Sequence, residues 1–552
     1  MSWRHFTTVL FLAFVITMSA VAASKSDVPK KTKAPGQPPK DKKSTPAHAL
    51  FSTNAPIYTF NIEVSGGELA ALQKDNRSYV RGTVTVGTNV LKDVALHLKG
   101  NGSFRPLQEK PSFVTKFDRF VPDQKLFGES KLALNNSSQD STYLADFMAN
   151  EMFREANVPV SRVTHARVVF NGRDCGLYVL VEMHNKEFLK RWFRNAQGNL
   201  YEAYTADVDS QMDMDNGTDK NQTDRKKLEA VVKISDPAER WARLPQVLDV
   251  DRYVSHLVCE LFTGHTDGYA MNRNNYRIYH DPDTDRFTFL AHGVDWAFQN
   301  TGVSMQPPLG SLVTKAVMTT PEGVRLFKER RLTLLTNVFQ LEALTNRVNC
   351  MGARMLTVAR NANETNDFHR CANEMNGRLV ARWQNLTNQL FSPPPLPLVF
   401  NSEGIARLSG WRMKTDPKSA PARHEQITNA SPSILHIRTT TNAATVASWR
   451  TRVLLPPGIY VFEGDLRGSN IVSRTNATDI GFGAGLRLSG DKHRENQLLG
   501  NAPWTHVRHS LTNTVEDSVE LVCELRALQG EVWFDEDSLR LVKQKPAVPA
   551  PK

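Results

Sequence analysis

One stretch of the chain, residues 261–298, limits the possible folds more than any other. Asn272 follows Asp267 by five residues on a predicted loop. Residues 276–290 then form two strand-like runs around an Asp-Pro-Asp-Thr-Asp turn, which predicts a β-hairpin. Asp295 comes just after this hairpin. Because a hairpin returns the chain to its starting point, we expect Asp295 to meet Asp267 and Asn272 at one site.

Protein kinases order their catalytic residues in the same way. A loop aspartate accepts the proton of the substrate hydroxyl, a nearby asparagine holds metal, and a later aspartate holds the Mg²⁺ that bridges the phosphates. The pattern therefore predicts catalytic roles for Asp267 and Asn272, and metal binding by Asp295 and Asn272. The motif of His265, Asp267 and Asn272 is short, however, and a polar turn with a capping aspartate has the same form.

Further motifs occur around this stretch in a fixed order. They are Lys99-Gly100-Asn101-Gly102-Ser103, Lys110-Pro111-Ser112-Phe113-Val114-Thr115-Lys116-Phe117, Asn171-Gly172 with Gly176–Glu182, Asp267-Gly268-Tyr269, Asn274-Asn275-Tyr276 and Val294-Asp295-Trp296-Ala297-Phe298. With these motifs, residues 55–390 resemble the CotH family of spore-coat protein H-like proteins, which have an atypical kinase fold. The family often has an aspartate two residues before the metal aspartate, where this chain has Gly293.

The resemblance implies an α+β fold with a bilobal kinase-like domain, whose N-terminal lobe is rich in β-strands and whose C-terminal lobe is helical. It also implies ATP and Mg²⁺ or Mn²⁺ as cofactors. The glycine/serine loop of Gly100, Gly102 and Ser103 would let the backbone approach phosphate oxygens. Lys116 is the predicted phosphate-binding lysine, with the alternatives Lys99 and Lys110.

Two more residues of the predicted nucleotide site are acidic. Residues 141–157 have the apolar periodicity of a helix capped by Ser141. A kinase needs an acidic residue on this helix to hold the lysine, and Glu151 is the candidate, with Glu155 as the alternative. Glu182 marks the predicted hinge, where backbone groups of a kinase meet the adenine.

The first 50 residues predict export. A short apolar run followed by small residues reads as a signal peptide over residues 1–23, too short for a membrane span. Residues 24–50 carry seven lysines against two aspartates and read as a disordered Lys/Pro-rich linker. They supply much of the net charge of +11, and no nucleic-acid-binding motif is present, so a nucleic-acid partner is not expected. The mature chain is expected to be secreted, periplasmic or in the cell envelope, with no transmembrane span.

The pattern changes after the predicted kinase-like domain of residues 51–391. Residues 392–398 form a proline-rich linker, and residues 399–545 show short alternating strands, which predict a β-sandwich followed by a disordered tail over residues 546–552. The end of this domain resembles jelly-roll modules of the carbohydrate-binding type. Four tryptophans could stack on sugars of a cell-envelope glycan or could fill the core, and they are Trp411, Trp449, Trp504 and Trp533. A structural Ca²⁺ is a further expectation, with ligands Asp535 and Asp537.

Two local predictions concern acidic residues and cysteines. Residues 207–224 hold six aspartates without the spacing of an EF-hand, which predicts a solvated acidic loop. The five cysteines include no C-x-x-C pair; Cys350 and Cys371 could form a disulfide in an oxidising compartment, or all five could be thiols.

Two functions remain open from the sequence. The first is a secreted atypical kinase that transfers the γ-phosphoryl group of ATP to Ser or Thr of an exported protein. The second is a catalytically inactive kinase fold that serves as a scaffold or adhesion protein of the envelope or coat. A glycan hydrolase is set last, because no pair of carboxylates has acid/base surroundings.

Overall fold

A computed structural model describes most of the chain. The described residues are 50–52, 54–391, 397–416, 419–428, 431–473, 482–491, 496–513 and 516–544. The predicted signal peptide, nearly all of the Lys/Pro-rich linker, residues 392–396 of the proline-rich run and the C-terminal tail lie outside them. Those predictions stay predictions.

Seven strands form a closed barrel in the order β1-β2-β3-β4-β5-β7-β6. Neighbouring strands are antiparallel except β1 and β6, whose parallel pairing closes the barrel. Helix α1 follows β1, and helix α2 follows β5. The elements are β1 (Tyr58–Glu63), α1 (Gly66–Lys74), β2 (Val80–Val86), β3 (Asn89–Lys99), β4 (Ser112–Lys116), β5 (Lys131–Asn135), α2 (Ala145–Glu155), β6 (Val163–Phe170) and β7 (Arg173–Glu182).

Helix α2 begins later than the sequence predicts. Asp140 Oδ2 accepts a hydrogen bond from Ala145 N at 2.9 Å, so Asp140 satisfies the free N–H groups of this end. Ser141, the predicted cap, donates to Glu374 instead. Because Asp140 caps from five residues upstream, ordinary cap spacing did not reveal it.

A four-stranded sheet in the order β11-β10-β8-β9 follows the barrel. Its strands are β8 (Asn199–Glu202), β9 (Asp213–Asn216), β10 (Tyr276–Asp281) and β11 (Arg286–Ala291). The predicted hairpin is confirmed, with Tyr276 opposite Ala291 and Asp281 opposite Arg286. The sequence predicts a solvated loop over residues 207–224, but part of this segment forms strand β9. Arg277 of β10 lies 3.1 Å from Asp215 and joins β9 to the sheet.

The remaining elements of this part of the chain are helices, of which α5 and α6 contact strand β11 of the sheet. They are α3 (Lys186–Trp192), α4 (Thr223–Val232), α5 (Pro237–Val247), α6 (Val250–Thr263), α7 (Tyr269–Asn272), α8 (Leu312–Met318), α9 (Pro321–Asn337), α10 (Leu341–Leu356) and α11 (Ala362–Phe391). One apolar core joins α2, α6, α11 and the hairpin, through buried residues such as Met148, Leu257, Met375 and Phe289. Among the described residues, no helix is long and apolar enough to span a bilayer.

Two sheets packed on one core make up the described part of residues 397–544, which we call the sandwich. One sheet runs β12-β22-β17-β21-β15-β14, with β19 paired to β17, and the other runs β13-β16-β20-β18. The strands are β12 (Ile405–Arg407), β13 (Arg412–Thr415), β14 (Ala422–Ile427), β15 (Ile434–Thr439), β16 (Thr445–Leu455), β17 (Gly458–Val472), β18 (Gly483–Leu488), β19 (Gly500–Asn513), β20 (Asp517–Ala527), β21 (Gln529–Asp535) and β22 (Arg540–Lys543). Leu435, Phe462 and Leu521 of the two sheets share this core.

All five cysteines are unpaired. Cys350 is exposed on α10, whereas Cys371 is buried on α11 and its thiol donates to Ser141 O at 3.2 Å. The possible Cys350–Cys371 disulfide is therefore wrong, because one thiol faces solvent and the other faces the core.

Arg382 of α11 is a fully buried cation that joins three segments. Its Nε donates to Phe262 O at 3.0 Å, at the end of α6. Its Nη1 donates to Val303 O at 2.7 Å and to Thr301 O at 3.0 Å. Burial lowers its pKa to about 9, so the side chain is still charged at neutral pH. The carbonyls at the C-terminal end of α6 carry the partial negative charge that compensates it.

Replacing Arg382 should destabilise the protein strongly. We expect Arg382→Met to lower the free energy of unfolding by about 3 kcal/mol or more, because several buried carbonyls lose their donors. Arg325→Met is the matched control on α9, where the side chain is 67% exposed; it should change that free energy by less than about 0.5 kcal/mol. Urea unfolding followed by circular dichroism measures both. Equal effects of the two substitutions would contradict the role given to Arg382.

Candidate functional site

Three asparagines hold the carboxylate of Asp267. Asn272 Nδ2 donates to Asp267 Oδ1 at 2.6 Å. Asn274 Nδ2 and Asn275 Nδ2 donate to Asp267 Oδ2 at 3.1 and 2.7 Å. The carboxylate is therefore fixed in orientation and accepts neutral donors, which leaves its negative charge uncancelled. Since Asn272 uses its nitrogen here, its amide oxygen is the atom left for a cation.

A buried carboxyl group positions the short helix that carries Asn272. Glu260 of α6 accepts hydrogen bonds from Tyr269 N at 2.7 Å and Ala270 N at 2.9 Å. Burial raises the pKa of Glu260 to about 8. A methyl group on Gly268 would collide with this carboxyl group, so the close approach requires glycine. Sequence reasoning missed Glu260; its only signal is a charged residue among the apolar residues of a helix that proves to be buried all round.

His265, the first residue of the loop motif, has a packing role. It is 1% exposed, and neither ring nitrogen has a hydrogen-bond partner in the described part of the chain. Burial lowers its pKa to about 4, so the ring is neutral at physiological pH.

Lys99 at the end of β3 lies among acidic groups from other elements. Its Nζ donates to Asn135 Oδ1 at 2.7 Å, and Asn135 also hydrogen-bonds the carboxyl group of Asp146 on α2. Burial lowers the pKa of Lys99, and the charges of Asp146 and Asp295 oppose that shift. The ammonium thus lies between the barrel, the helix and the segment after the hairpin. We call Lys99, Asp146, Asp267 and Asp295 the charge cluster.

Two acidic members of the charge cluster, Asp146 and Asp295, are buried, although a charged carboxylate is more stable in water. Burial raises the pKa of Asp146, and the charge of Asp295 raises it further. Burial likewise raises the pKa of Asp295, with the nearby charges of Asp140 and Asp267 adding to the effect and Lys99 opposing it. Asp146 and Asp295 therefore share the Lys99 ammonium, and Asp267 lies near Asp295. Such a set, with the amide oxygen of Asn272, has the hard oxygen donors that Mg²⁺ prefers.

The glycine/serine loop lies beside the charge cluster. Gly100 has φ +98°, a conformation that favours glycine. Arg77 donates to Gly100 O and, at 3.2 Å, to Asn101 Oδ1, which pins the start of the loop. A methyl group on Gly102 would lie 3.4 Å from Gln139 Nε2. With its amide nitrogen turned to Asp295, Gln139 donates to Asp295 Oδ2 at 3.1 Å.

The structure brings Lys99, and not Lys116, to this cluster. Lys116 is 38% exposed at the end of β4, and its nearest carboxylate is Asp118 at 3.9 Å. Lys110, the other alternative, donates to Tyr143 OH at 2.7 Å and lies over that ring. The structure therefore places Lys99, rather than Lys116, beside Asp146 and Asp295, and the phosphate-binding role of either lysine stays a prediction.

The acidic partner on α2 also differs from the sequence prediction. Glu151 pairs with Arg154 one turn along the same helix, and Glu155 pairs with Arg347 of α10. Asp146, in the first turn of α2, is the acidic residue that acts on Lys99. The sequence predicts that the helix begins at Ser141, whereas it begins at Ala145. The predicted position for the acidic partner, Glu151, is therefore more than one turn beyond Asp146.

Glu182 does not present free groups to a base. Its carboxylate is 0% exposed and pairs with Arg162 at 2.8 Å and with Arg191. Its backbone N–H donates to Arg162 O at 3.0 Å, and its carbonyl accepts from Ser161 Oγ at 2.8 Å. The Glu182 side chain therefore fixes the end of β7 by ion pairs, and a contact of this hinge with adenine stays a prediction.

A second polar cluster, which sequence reasoning missed, lies around Arg277 of β10. Arg277 is 5% exposed and lies 2.6 Å from Glu202 of β8 and 3.1 Å from Asp215 of β9. Its Nη1 also contacts His184 Nδ1 at 2.7 Å. Lys131 of the barrel interacts with Asp215 across the gap between the barrel and the sheet. On β10, Arg277 lies between the core residues Tyr276 and Ile278, so its side chain is on the opposite face of the strand. The alternating pattern does not reveal that this face is turned to the barrel.

The structure leaves no room for a side chain at Gly293. Its φ is +55°, and a methyl group there would lie 2.7 Å from Asn275 Oδ1. Asn275 in turn donates to Asp267. An aspartate at this position would push Asn275 off Asp267. Within the described residues, no group of three or more His, Cys, Asp or Glu side chains forms a metal site alone.

The predicted ligand residues of the sandwich divide by burial. Trp411 and Trp449 are 8% and 4% exposed and belong to the core. Trp533 lies between His436, whose ring stacks on it at 4.8 Å, and Arg467, which lies 5.2 Å from its centroid. Of these four, Trp504 is the most open to solvent, at 47% exposed, and Trp533 is half-buried.

Asp535 and Asp537, the expected Ca²⁺ ligands, both accept backbone hydrogen bonds. Asp535 Oδ1 accepts from Asp537 N at 3.0 Å, and Asp537 Oδ2 accepts from Ser433 N at 3.2 Å. These bonds stabilise the turn after β21, so they explain both residues without a cation. Calcium binding there stays a prediction.

The contact of Gly293 with Asn275 gives a direct test of the loop. We expect Gly293→Ala to lower the melting temperature, because it adds strain of about 1–2 kcal/mol at positive φ and a clash. Gly310→Ala is the control, since nothing lies within 4 Å of a methyl group there and its φ is not positive. Differential scanning fluorimetry compares the two. A melting temperature of Gly293→Ala equal to that of Gly310→Ala would contradict the close contact.

The chain matches one protein-family model and is similar to several solved structures. The family model described as CotH kinase protein matches residues 96–393, and a search of curated proteins finds no match. The Helicobacter pylori proinflammatory kinase CtkA is a similar solved structure, with 6% identity over 52% of this chain and 93% of that chain and a TM-score of 0.24. A carbohydrate-binding module, TmCBM61 in complex with beta-1,4-galactotriose, has 15% identity over 25% of this chain and 91% of that chain, with a TM-score of 0.18. A CBM4 structure has 10% identity over 24% of this chain and 86% of that chain, with a TM-score of 0.16. Because the family match covers more than half of the 552 residues, the chain belongs to the CotH kinase family.

Proposed function

We propose that this protein is a secreted kinase that transfers the γ-phosphoryl group of ATP to Ser or Thr of an exported protein. The observation that carries the proposal is the charge cluster, in which Lys99 from the barrel meets Asp146 and Asp295 beside Asp267. Family membership supports the same reaction class. The export part of the proposal depends on the sequence of residues 1–23.

Each member of the site has a distinct task in this proposal. Asp267, oriented by its three asparagines, accepts the proton of the acceptor hydroxyl as the oxygen attacks. Lys99 donates to phosphate oxygens and balances their growing charge, while Asp146 and Asn135 keep its ammonium in place. Backbone N–H groups of the glycine/serine loop cover the phosphates. The rate enhancement comes from positioning and charge, without a covalent enzyme intermediate.

The donor set fits a divalent cation. Asp295 and Asn272 would hold Mg²⁺ or Mn²⁺, which neutralises the charge of the β- and γ-phosphates when bound. The raised pKa of Asp295 supports this assignment, because a buried carboxyl group with two acidic neighbours gains from a nearby cation.

The two lysines distinguish this site from the one that the sequence predicts. We expect Lys99→Met to reduce phosphoryl transfer by about 100-fold or more, since one preorganised donor to the transition state is lost. Lys116→Met is the matched control and should retain activity within about threefold, since its side chain lies apart from the cluster. Incorporation of ³²P from labelled ATP into a Ser/Thr-rich acceptor, or into the protein itself, measures both.

A matched acidic pair extends the experiment. Asp146→Asn should impair the reaction and Glu151→Gln should not, because only Asp146 acts on Lys99. Full activity of Lys99→Met together with loss in Lys116→Met would overturn the assignment. So would labelling at the wild-type rate by Asp295→Asn.

A second candidate function is an inactive kinase fold that serves as an envelope or coat scaffold. Gly293 favours it, since the chain lacks a second acidic ligand there and has no room for one. Thermal-shift titration with Mg-ATP separates the two functions. Stabilisation that saturates at millimolar nucleotide favours the kinase, whereas no shift, together with no labelling, favours the scaffold.

A further inference from the structure

The solvent face of the four-stranded sheet β13-β16-β20-β18 is strongly cationic. Core residues such as Ala447, Trp449, Leu521 and Leu486 point inward, so the alternate residues face outward. Six of the outward residues are cations and two are carboxylates. The cations are Arg412, Lys414, Arg450, Arg452, Arg487 and Arg526, and the carboxylates are Glu520 and Glu524. We call this set the cationic face.

The carboxylates neutralise one side of this face only. Glu524 is buried and receives Arg487 at 2.8 and 2.9 Å and Arg526 at 3.0 Å. Glu520 receives Arg450 at 2.7 Å. By contrast, three exposed cations of β13 and β16 make no ion pair with any described residue, and they are Arg412, Lys414 and Arg452. The charges of Glu520 and Asp416 partly compensate Lys414, whereas Arg412 and Arg452 have no carboxylate within ion-pair distance among the described residues.

This arrangement is unfavourable for the sheet by itself. Arg412 lies directly opposite Arg450 on the neighbouring strand, where strands are about 4.8 Å apart. Like charges in such a pair repel, and the Glu520 carboxylate that pairs with Arg450 reduces this repulsion. Partial desolvation lowers the pKa of Lys414 and the charge of Arg450 lowers it further, while the charges of Glu520 and Asp416 oppose the shift. An anion lying across the two strands would relieve this repulsion.

The chemistry of the face selects among anionic polymers. On these four strands, none of the described outward residues is aromatic, so the face offers no ring for stacking on neutral sugars or on bases. Guanidinium groups match carboxylates in paired hydrogen bonds. The Glu520 carboxylate, 30% exposed, keeps lone pairs that accept from hydroxyl groups, which the sugar units of a polysaccharide offer.

We propose that the cationic face binds an acidic polysaccharide through its uronate carboxylates. This charge-based contact lies on a different sheet from Trp533, and stacking of the tryptophans on a glycan stays a separate prediction. The proposal needs only the sandwich and is independent of phosphoryl transfer. Its failure would leave the kinase proposal untouched, and the reverse also holds.

Binding of the full chain to polygalacturonate tests the proposal, with the methyl-esterified polymer as the uncharged probe of the same backbone. We expect binding to the acid form only, weakened at least tenfold between low and high salt. Lys414→Glu combined with Arg452→Glu should weaken it at least tenfold. The matched control is Arg423→Glu with Arg438→Glu, exposed cations of β14 and β15 on the other sheet, which should change binding less than threefold.

Three results would overturn the proposal. The first is no binding of the acid polymer, or equal binding of its methyl ester. The second is an equal loss in the two double variants, which would place the contact elsewhere. The third is tighter binding of single-stranded RNA than of polygalacturonate, which would assign the face to a phosphate polymer. The salt and esterification experiments need no variant, so they decide the question even if a substitution impairs folding.

Discussion

The energetic constraint behind the site is the enclosure of several carboxyl groups around one ammonium. Asp146 and Asp295 both have raised pKa values because they are buried near one another, and Lys99 only partly offsets this. Each charge comes from a different element: Lys99 from a barrel strand, Asp146 from α2, and Asp267 and Asp295 from either end of the β10–β11 hairpin. A fold that keeps such a cluster together must fix all of these elements rigidly.

Helix α11 contributes much of that rigidity. Arg378 contacts Asp140, the residue that caps α2, at 3.3 Å. One turn later, Arg382 holds the end of α6, which leads into the Asp267 loop. Two turns beyond, Gln389 accepts from Met305 N at 2.7 Å, in the segment after Asp295. A single helix face therefore fixes the starting points of three site segments, although none of its residues touches the charge cluster.

The strands and the hairpin could be predicted from the sequence. The residues of the candidate site could be predicted only in part. Strands such as β2 and β6 and the β10–β11 hairpin follow from alternation and turn residues. The sequence order of Asp267, Asn272 and Asp295 indicated their convergence, because a hairpin imposes it. Lys116 was preferred to its alternative Lys99, since a strand pattern does not reveal which strand end reaches α2. The structure places Lys99, where β3 meets the glycine loop, beside Asp146. Asp146, Glu260 and Arg277 were missed because their partners are distant in sequence and only the tertiary fold supplies them.

A crystal structure of the full chain with Mg²⁺ and a non-hydrolysable ATP analogue tests the central claim most directly. The account predicts phosphate oxygens within hydrogen-bond distance of Lys99 Nζ, a cation bound by Asp295 and Asn272, and the terminal phosphate facing Asp267. A nucleotide bound with its phosphates at Lys116, or outside the space between the barrel and the hairpin, would contradict it.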